Sequence, residues 1–396
     1  MSQPLPDHAV PSAPRLQPEH FDPAAFLRDY WQHKPLLIRD PWAAWSNPLD
    51  PDELAGLACE SDVESRMVVR SCETWSLEHG PIAEERFGQV GEDPWTLLVQ
   101  AVDHHVPEVA ALIEPFGFLP NWRIEDVMVS YATDGGGVGP HFDNYDVFLV
   151  QGLGRRRWRV GKPADESVKL LPHDDLRLLE HFEVTEEWVL EPGDILYLPP
   201  NVPHDGVAVG DDCMTYSIGF RAPSRRELIS AWCDDLLPGI AEDDRYTDPG
   251  LGQQDNRGEI SAPALAKLQA MIAEQLLDRD AFAAWFGCYA TTPRNSEIDW
   301  SPEVPTSLAG VHHALAEGGV LLRNAASRFS FVVQRGDMTL LFVDGTSFEC
   351  TGAAGDLAQR LCAERRVAVD PGLTDAVAAL IQALHSEGSI TFETDD

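Results

Sequence analysis

The spacing of apolar residues along this chain changes character twice. Between 21 and 116 they recur at intervals of three and four, the helical period. FDPAAFLRDYWQHKPLLI (21–38) and PDELAGLACESDVESRMVV (51–69) each predict a helix followed by a short strand, and TLLVQAVDHHVPEVAALIEPF (96–116) predicts a helix. From about 124 to 222 the runs become short and β-rich: DVMVSY (126–131), DVFLVQ (146–151), RRRWRV (155–160), EEWVL (186–190), DILYLP (194–199) and MTYSIGF (214–220). The turn signals GGGVGP, GLG, EPGD and PPNVPHDG separate them. Many short strands punctuated by Gly and Pro predict a sandwich or barrel. Helical spacing returns in 224–240 and 262–286, either side of an acidic, glycine-containing stretch (241–260). Segment 291–305 is polar, contains Pro and reads as a linker. Beyond 306, helical runs (LAGVHHALAEG, DLAQRLCAE, TDAVAALIQALHS) mix with short strands (RFSFVVQ, TLLFVDG, SITFE), predicting a small α+β domain of winged-helix type.

Composition narrows the classes. A chain of 396 residues is too long for one ordinary core. It has no apolar run of 18 residues, so no membrane span is expected. Residues 1–20 lack the basic start and apolar stretch of a secretory signal and read as a disordered lead. The seven cysteines are odd in number and scattered, with no C-x-x-C pair. Reduced, packed thiols in a cytoplasmic protein are expected, not a disulfide framework or a cysteine-bound zinc. With 65 acidic and 29 basic residues the net charge is −36. Such a surface repels phosphate, so direct nucleic-acid binding is not expected; it favours a basic peptide or protein, a general solubility bias being the alternative.

Within GGGVGPHFDNYDVFLV, His141 and Asp143 are two apart, and in an extended segment positions i and i+2 face the same side. EPGDILYLPPNVPHDG then delivers His204 from a Pro-rich loop at the end of a later strand of the same β-region. Two histidines and one carboxylate form the facial triad of non-haem iron(II) oxygenases, though zinc takes such a ligand set too. In RRRWRV, alternation puts Arg156, Trp158 and Val160 on one face and Arg155, Arg157 and Arg159 on the other. The face with Trp and Val should be buried, which carries one guanidinium inside, where it needs a carboxylate. That carboxylate belongs either to a dicarboxylate co-substrate, 2-oxoglutarate being the candidate, or to the barrel itself as an internal salt bridge. Tyr145, Tyr197 and Trp158 are candidates for the pocket lining, with aromatic packing as the alternative. A site centred on His181 or His173, in a polar loop with acidic neighbours, is a further option.

GPHFDNYDVFLVQGLGRRRWRVG together with EPGDILYLPPNVPHDG resembles the bacterial JmjC-type ribosomal oxygenases, with FLRDYWQHKPLLI and SIGFRAPSRRELIS similar as well. The likeness is sharpest over 124–235 and extends more loosely from about residue 20 to the end. It implies an α+β chain: a JmjC cupin-type double-stranded β-helix (21–222), a helical dimerisation segment (223–290) and, past the linker, a C-terminal winged-helix-like domain (306–396). It implies iron(II) on His141, Asp143 and His204, with 2-oxoglutarate on Arg156 and Ser130 and O₂ as the oxidant. The implied substrate is an arginine of the basic large-subunit ribosomal protein L-sixteen, hydroxylated at its β-carbon with release of succinate and CO₂, by a homodimeric cytoplasmic enzyme. Asp134, beside the glycine loop, and Asp146 are candidates to pair with the substrate guanidinium. The alternatives are a capped turn for Asp134 and a surface strand residue for Asp146. Two rival readings remain, a metal-dependent cupin isomerase of small metabolites and a non-catalytic JmjC-like module that recognises a basic protein.

Overall fold

The computed structural model describes residues 14–71, 74–164, 168–172, 176–295, 298–316, 319–369 and 374–393; residues 1–13 of the lead, Cys72 and His173 lie outside them. The chain divides into two compact units, Met1–Ala222 and Pro223–Asp396.

In the first unit, the end of the lead is tied down: Leu16 bridges Trp42 and Gln17 Nε2 donates to Trp42 O at 2.7 Å. Helix α1 (Pro23–Asp29) starts on the Asp22 cap, and strand β1 (Leu36–Ile38) follows. Helix α2 (Pro51–Cys59) opens with a capping box between Asp50 and Glu53. Next come the β2–β3 pair (Ser65–Ser71 and Thr74–His79), the short α3 (Glu84–Phe87) and β4 (Trp95–Val99). The helix expected over 96–116 is therefore broken into a strand and short turns, among them α4 (Pro107–Ala110). The cause is tertiary: Thr96–Val99 is buried on both faces between β2 and β5 (Ile124–Ala132), and Pro107 and Pro115 interrupt the rest.

The barrel is completed by β6 (Asp146–Gly161), β7 (Val184–Leu190), β8 (Ile195–Leu198) and β9 (His204–Phe220). The runs 146–151 and 155–160, read as two strands, form one 16-residue strand. GLG is a bulge within it, not a turn: the pairing of β6 with β9 shifts at Gln151/Leu153 and again at Leu153/Arg155. Gly154 there has φ +58°, and a Cβ would stand 2.7 Å from Asp212 O, so only glycine fits. Both long strands thus serve two layers. The first half of β6 pairs with β8 and the far half of β9, while its second half pairs with β7 and the near half of β9. The outer face of the larger layer, with Phe148, Val150, Tyr197 and Ile218, packs under the N-terminal elements. Phe26 of α1 lies 4.8 Å from the Tyr197 ring and 5.4 Å from that of Phe148, and burial of one such aromatic contributes ~2–3 kcal/mol. The inner face carries Val147, Leu149, Trp158, Val160, Leu196 and Leu198.

The second unit begins with α5 (Arg225–Leu236), again with a capping box, from Ser224 to Glu227. The helix expected over 262–286 is two, α6 (Ala262–Leu276) and α7 (Arg279–Thr291), because Asp278 caps a new start by accepting from Asp280 N and Ala281 N. Helix α8 (Leu308–Ala316), β10 (Val320–Arg323), β11 (Phe329–Val333), β12 (Thr339–Val343), β13 (Thr346–Cys350), α9 (Ala353–Ala363), β14 (Arg366–Ala368), α10 (Asp375–Ser386) and β15 (Ile390–Phe392) complete it. Two three-stranded sheets, in the orders β14-β10-β15 and β11-β12-β13, enclose an apolar core with Val311, Leu341, Leu361 and Ile381. Among the described residues, no helix is long and apolar enough to cross a membrane.

Candidate metal and co-substrate site

The glycine loop runs back along β9: Gly135 N donates to Ala208 O (3.1 Å) and Ala208 N to Gly136 O (2.9 Å). The approach is so close that a Cβ on Gly137 would lie 2.4 Å from Gly206 O. The loop ends by pairing His141 with His204 through reciprocal backbone bonds of 3.0 and 2.8 Å. The pair expected on a regular strand thus sits on an isolated bridge, with the same convergent result. The two imidazole rings are 4.3 Å apart. Each Nδ1 lies against a backbone carbonyl two residues earlier, Gly139 O at 2.9 Å for His141 and Val202 O at 3.0 Å for His204. A carbonyl only accepts, so each Nδ1 carries the proton and each Nε2 presents its lone pair. Burial, and then the neighbouring His141, push the His204 pKa down to about 4, which keeps it neutral and ligand-ready. Asp143 Oδ2 stands 3.7 Å from His204 Nε2, and one ligand atom from each of the three residues falls within 4.8 Å of the others. Among the described residues this is the one such cluster of His, Cys, Asp and Glu.

Arg156 is 3% exposed, on the buried face with Trp158 and Val160; Arg155 is exposed and Arg157 and Arg159 are half-buried on the other. Its Nε and Nη2 have no hydrogen-bond partner, and among the described residues no carboxylate forms a salt bridge with it. The internal salt bridge is therefore not formed. The two orphaned nitrogens share one edge of the guanidinium, the edge that matches the two oxygens of a carboxylate. Ser130 is buried in β5 on the inner face, opposite Thr215 of β9, whose carbonyl it reaches only at 3.5 Å.

The remaining candidates fall elsewhere. Tyr145 is 43% exposed, with its phenol pKa raised chiefly by burial and then by Asp143. Asp134 is exposed, and its Oδ1 accepts from Gly210 N at 2.7 Å, the capped turn. Asp146 is neither a surface residue nor open to a substrate. It is wholly buried and accepts from Tyr197 Oη (2.6 Å), Arg123 Nη2 (2.9 Å) and Gln32 Nε2 (2.9 Å). Tyr197 points into that knot under α1 and not into the barrel. Trp158 lines the inside, 5.8 Å from the His204 ring. His181 is exposed and joins no cluster among the described residues.

Two family descriptions match in the same order as the two units: JmjC domain over 111–228 and ROXA-like winged helix over 270–391. A third, AraC-like ligand binding domain, matches 184–276 and overlaps both. The chain is 43% identical over 299 residues to the ribosomal protein uL16 3-hydroxylase of Escherichia coli K12, covering 75% of this chain and 79% of that one. It is 37% identical over 292 residues to a probable ribosomal oxygenase of Haemophilus influenzae, covering 70% of each. The solved structure of the Escherichia coli ribosomal oxygenase YcfD with cobalt and 2-oxoglutarate superposes with a TM-score of 0.84 at 35% identity, over 96% of this chain and 100% of that one. Identity at this level over most of both chains, with the same succession of barrel and winged helix, means that this protein belongs to the JmjC-type ribosomal oxygenase family.

Proposed function

We propose that the chain is an iron(II)- and 2-oxoglutarate-dependent protein hydroxylase that hydroxylates the β-carbon of an arginine in the large-subunit ribosomal protein L-sixteen (uL16), releasing succinate and CO₂. The observation that carries this reading is the buried Arg156, whose guanidinium edge meets no acceptor among the described residues, in the same barrel as the His141–Asp143–His204 cluster. The name of the Escherichia coli relative and the cobalt and 2-oxoglutarate bound to YcfD support it.

In this reading His141, Asp143 and His204 would hold the iron, a two-histidine, one-carboxylate set of the kind that leaves room for co-substrate and O₂. Arg156 takes the distal carboxylate of 2-oxoglutarate through Nε and Nη2, and Ser130 Oγ adds a second donor. When bound, iron and 2-oxoglutarate together supply the activation of O₂ and the insertion of one oxygen atom into a C–H bond. The chain supplies geometry and dryness. The carbonyls of Gly139 and Val202 fix both imidazole rings, and Val147, Leu149, Trp158 and Leu196 exclude water from the chamber. Tyr145, exposed and bonded to Asp143, stands where an incoming basic side chain would pass. The acidic surface steers that partner toward the barrel. Incubation with iron, 2-oxoglutarate and an L-sixteen-derived peptide will give a +16 Da product and equimolar succinate; absence of both rejects the reading.

The same reading makes the protein a cytoplasmic homodimer, paired through the helical part of 223–290, with 291–305 as linker. Helix α6 buries none of its residues and exposes Leu265, Leu268, Ile272 and Leu276 at helical spacing, a stripe that a second copy would cover. Sedimentation of the intact protein will give twice the chain mass; a monomer at micromolar concentration counts against the pairing.

A further inference from the structure

Thr96 stands in the middle of β4, wholly buried, and its Oγ1 has no hydrogen-bond partner. A hydroxyl in that position weakens a fold unless something completes it. Register shows where it faces. Leu97 and Val99 of β4 point into the core beneath the N-terminal elements, so Thr96 and Leu98 point to the opposite, inner face. Across the β4–β5 pairing, Thr96 lies opposite Ala132 and Leu98 opposite Ser130. Thr96 and Ser130 are therefore diagonal neighbours on one face, at a Cα spacing of about 7–8 Å with the side chains somewhat closer. That gap suits a carboxylate that accepts one bond of about 2.7 Å from each hydroxyl.

The same corner holds the arginine. Ala132 packs with Ala208 and Cys213 in a small cluster of its own, and Ala208 is the residue opposite Arg156 on β6. Thr96 and Arg156 thus flank one contact between two alanines, each bringing donors that the fold itself leaves unpaired. We infer that Thr96 is a third donor to the distal carboxylate of 2-oxoglutarate, and that with Ser130 and Arg156 it sets the preference for a 2-oxo dicarboxylate over a 2-oxo monoacid. The inference rests on the proposed function and adds a ligand-contacting residue to it.

Calorimetric titration of 2-oxoglutarate into the cobalt-loaded protein tests it. Thr96→Val keeps the side-chain outline and removes only the hydroxyl. Its dissociation constant for 2-oxoglutarate will rise about tenfold, the worth of one hydrogen bond to a charged group. Cobalt affinity will not change, and the metal-free melting temperature will hold or rise, since valine leaves no orphaned donor. Thr96→Ser will restore most of the affinity. 2-Oxobutyrate, which lacks the distal carboxylate, will bind wild type and Thr96→Val alike. Wild-type affinity in Thr96→Val, with Arg156→Ala weakened on the order of 100-fold, overturns the role of Thr96 and leaves the proposed function standing. An equal loss for 2-oxobutyrate also overturns it, by showing a general distortion. Failure of the wild type to bind 2-oxoglutarate overturns the proposed function itself.

Discussion

Among the described residues, the two units answer their buried hydroxyls differently. In the C-terminal unit each buried hydroxyl is answered from within. Thr291 donates to Gly287 O at 2.8 Å, Ser389 to Asp344 at 2.9 Å, and Thr339 accepts from Gln359 at 3.0 Å; Ser327 bonds the same Asp344 carboxylate. Around Arg156 the barrel does the reverse. Thr96 Oγ1 and the Nε and Nη2 of Arg156 have no partner, and Ser130 reaches a carbonyl only at 3.5 Å. Unanswered donors destabilise a fold, and the Thr96 hydroxyl and the Arg156 edge stand on the inner face that the proposed co-substrate would occupy. The C-terminal core is packed with Val311, Leu341, Leu361 and Ile381, and its buried hydroxyls are bonded within the unit.

Three variants press on that contrast, in descending order of effect on the barrel. Asp143→Ala removes a charged ligand atom from the cluster of three; it will abolish turnover and metal uptake. Because Asp143 is only half-buried, the metal-free unfolding free energy will stay within about 1 kcal/mol of wild type. Retained activity in this variant takes Asp143 out of the ligand set. Arg156→Ala will raise the 2-oxoglutarate requirement on the order of 100-fold, the worth of a charge-assisted pair. Stability will change little, because the guanidinium makes no internal bond to lose. A collapse of thermal stability with co-substrate affinity intact shows that the arginine was structural. Ile381→Ala empties a fully buried position in the C-terminal core and will cost that unit ~2–5 kcal/mol in a denaturant titration. Affinity for 2-oxoglutarate will remain within about twofold of wild type, since that core holds no group of the barrel. If affinity falls with it, the two interiors do not have separate tasks.

What was legible in the sequence follows the same division. The convergence of His141 with Asp143 and the inward turn of Arg156 were readable because extended segments alternate, and alternation is local: His141 and Asp143 two apart, Arg156 in step with Trp158. Ser130 was found through the family resemblance alone, and Thr96 gave no signal. Their place on the inner face is set by the residues opposite them, Thr215 and Ala132, and strand pairing is not written in either strand. Asp146 was misplaced for the same reason. Arg123, Tyr197 and Gln32 meet it from 23, 51 and 114 positions away, and that knot turns a charged strand residue into a core one. Spacing also misled where tertiary pairing outweighs it: Leu97, Leu98 and Val99 fit a helical reading of 96–116, yet they lie between two strands.

The bulge at 152–154 carries one more consequence. A slip of one position along β6 would turn Arg156 outward and bring Arg155 or Arg157 inward, still an arginine. Such a slip would, however, expose Trp158 and Val160, now 5% and 1% exposed, and put Arg159 where a large apolar side chain belongs. The strand is therefore keyed by its tryptophan and valine, and the run of arginines leaves the guanidinium tolerant of errors that the aromatic ring forbids.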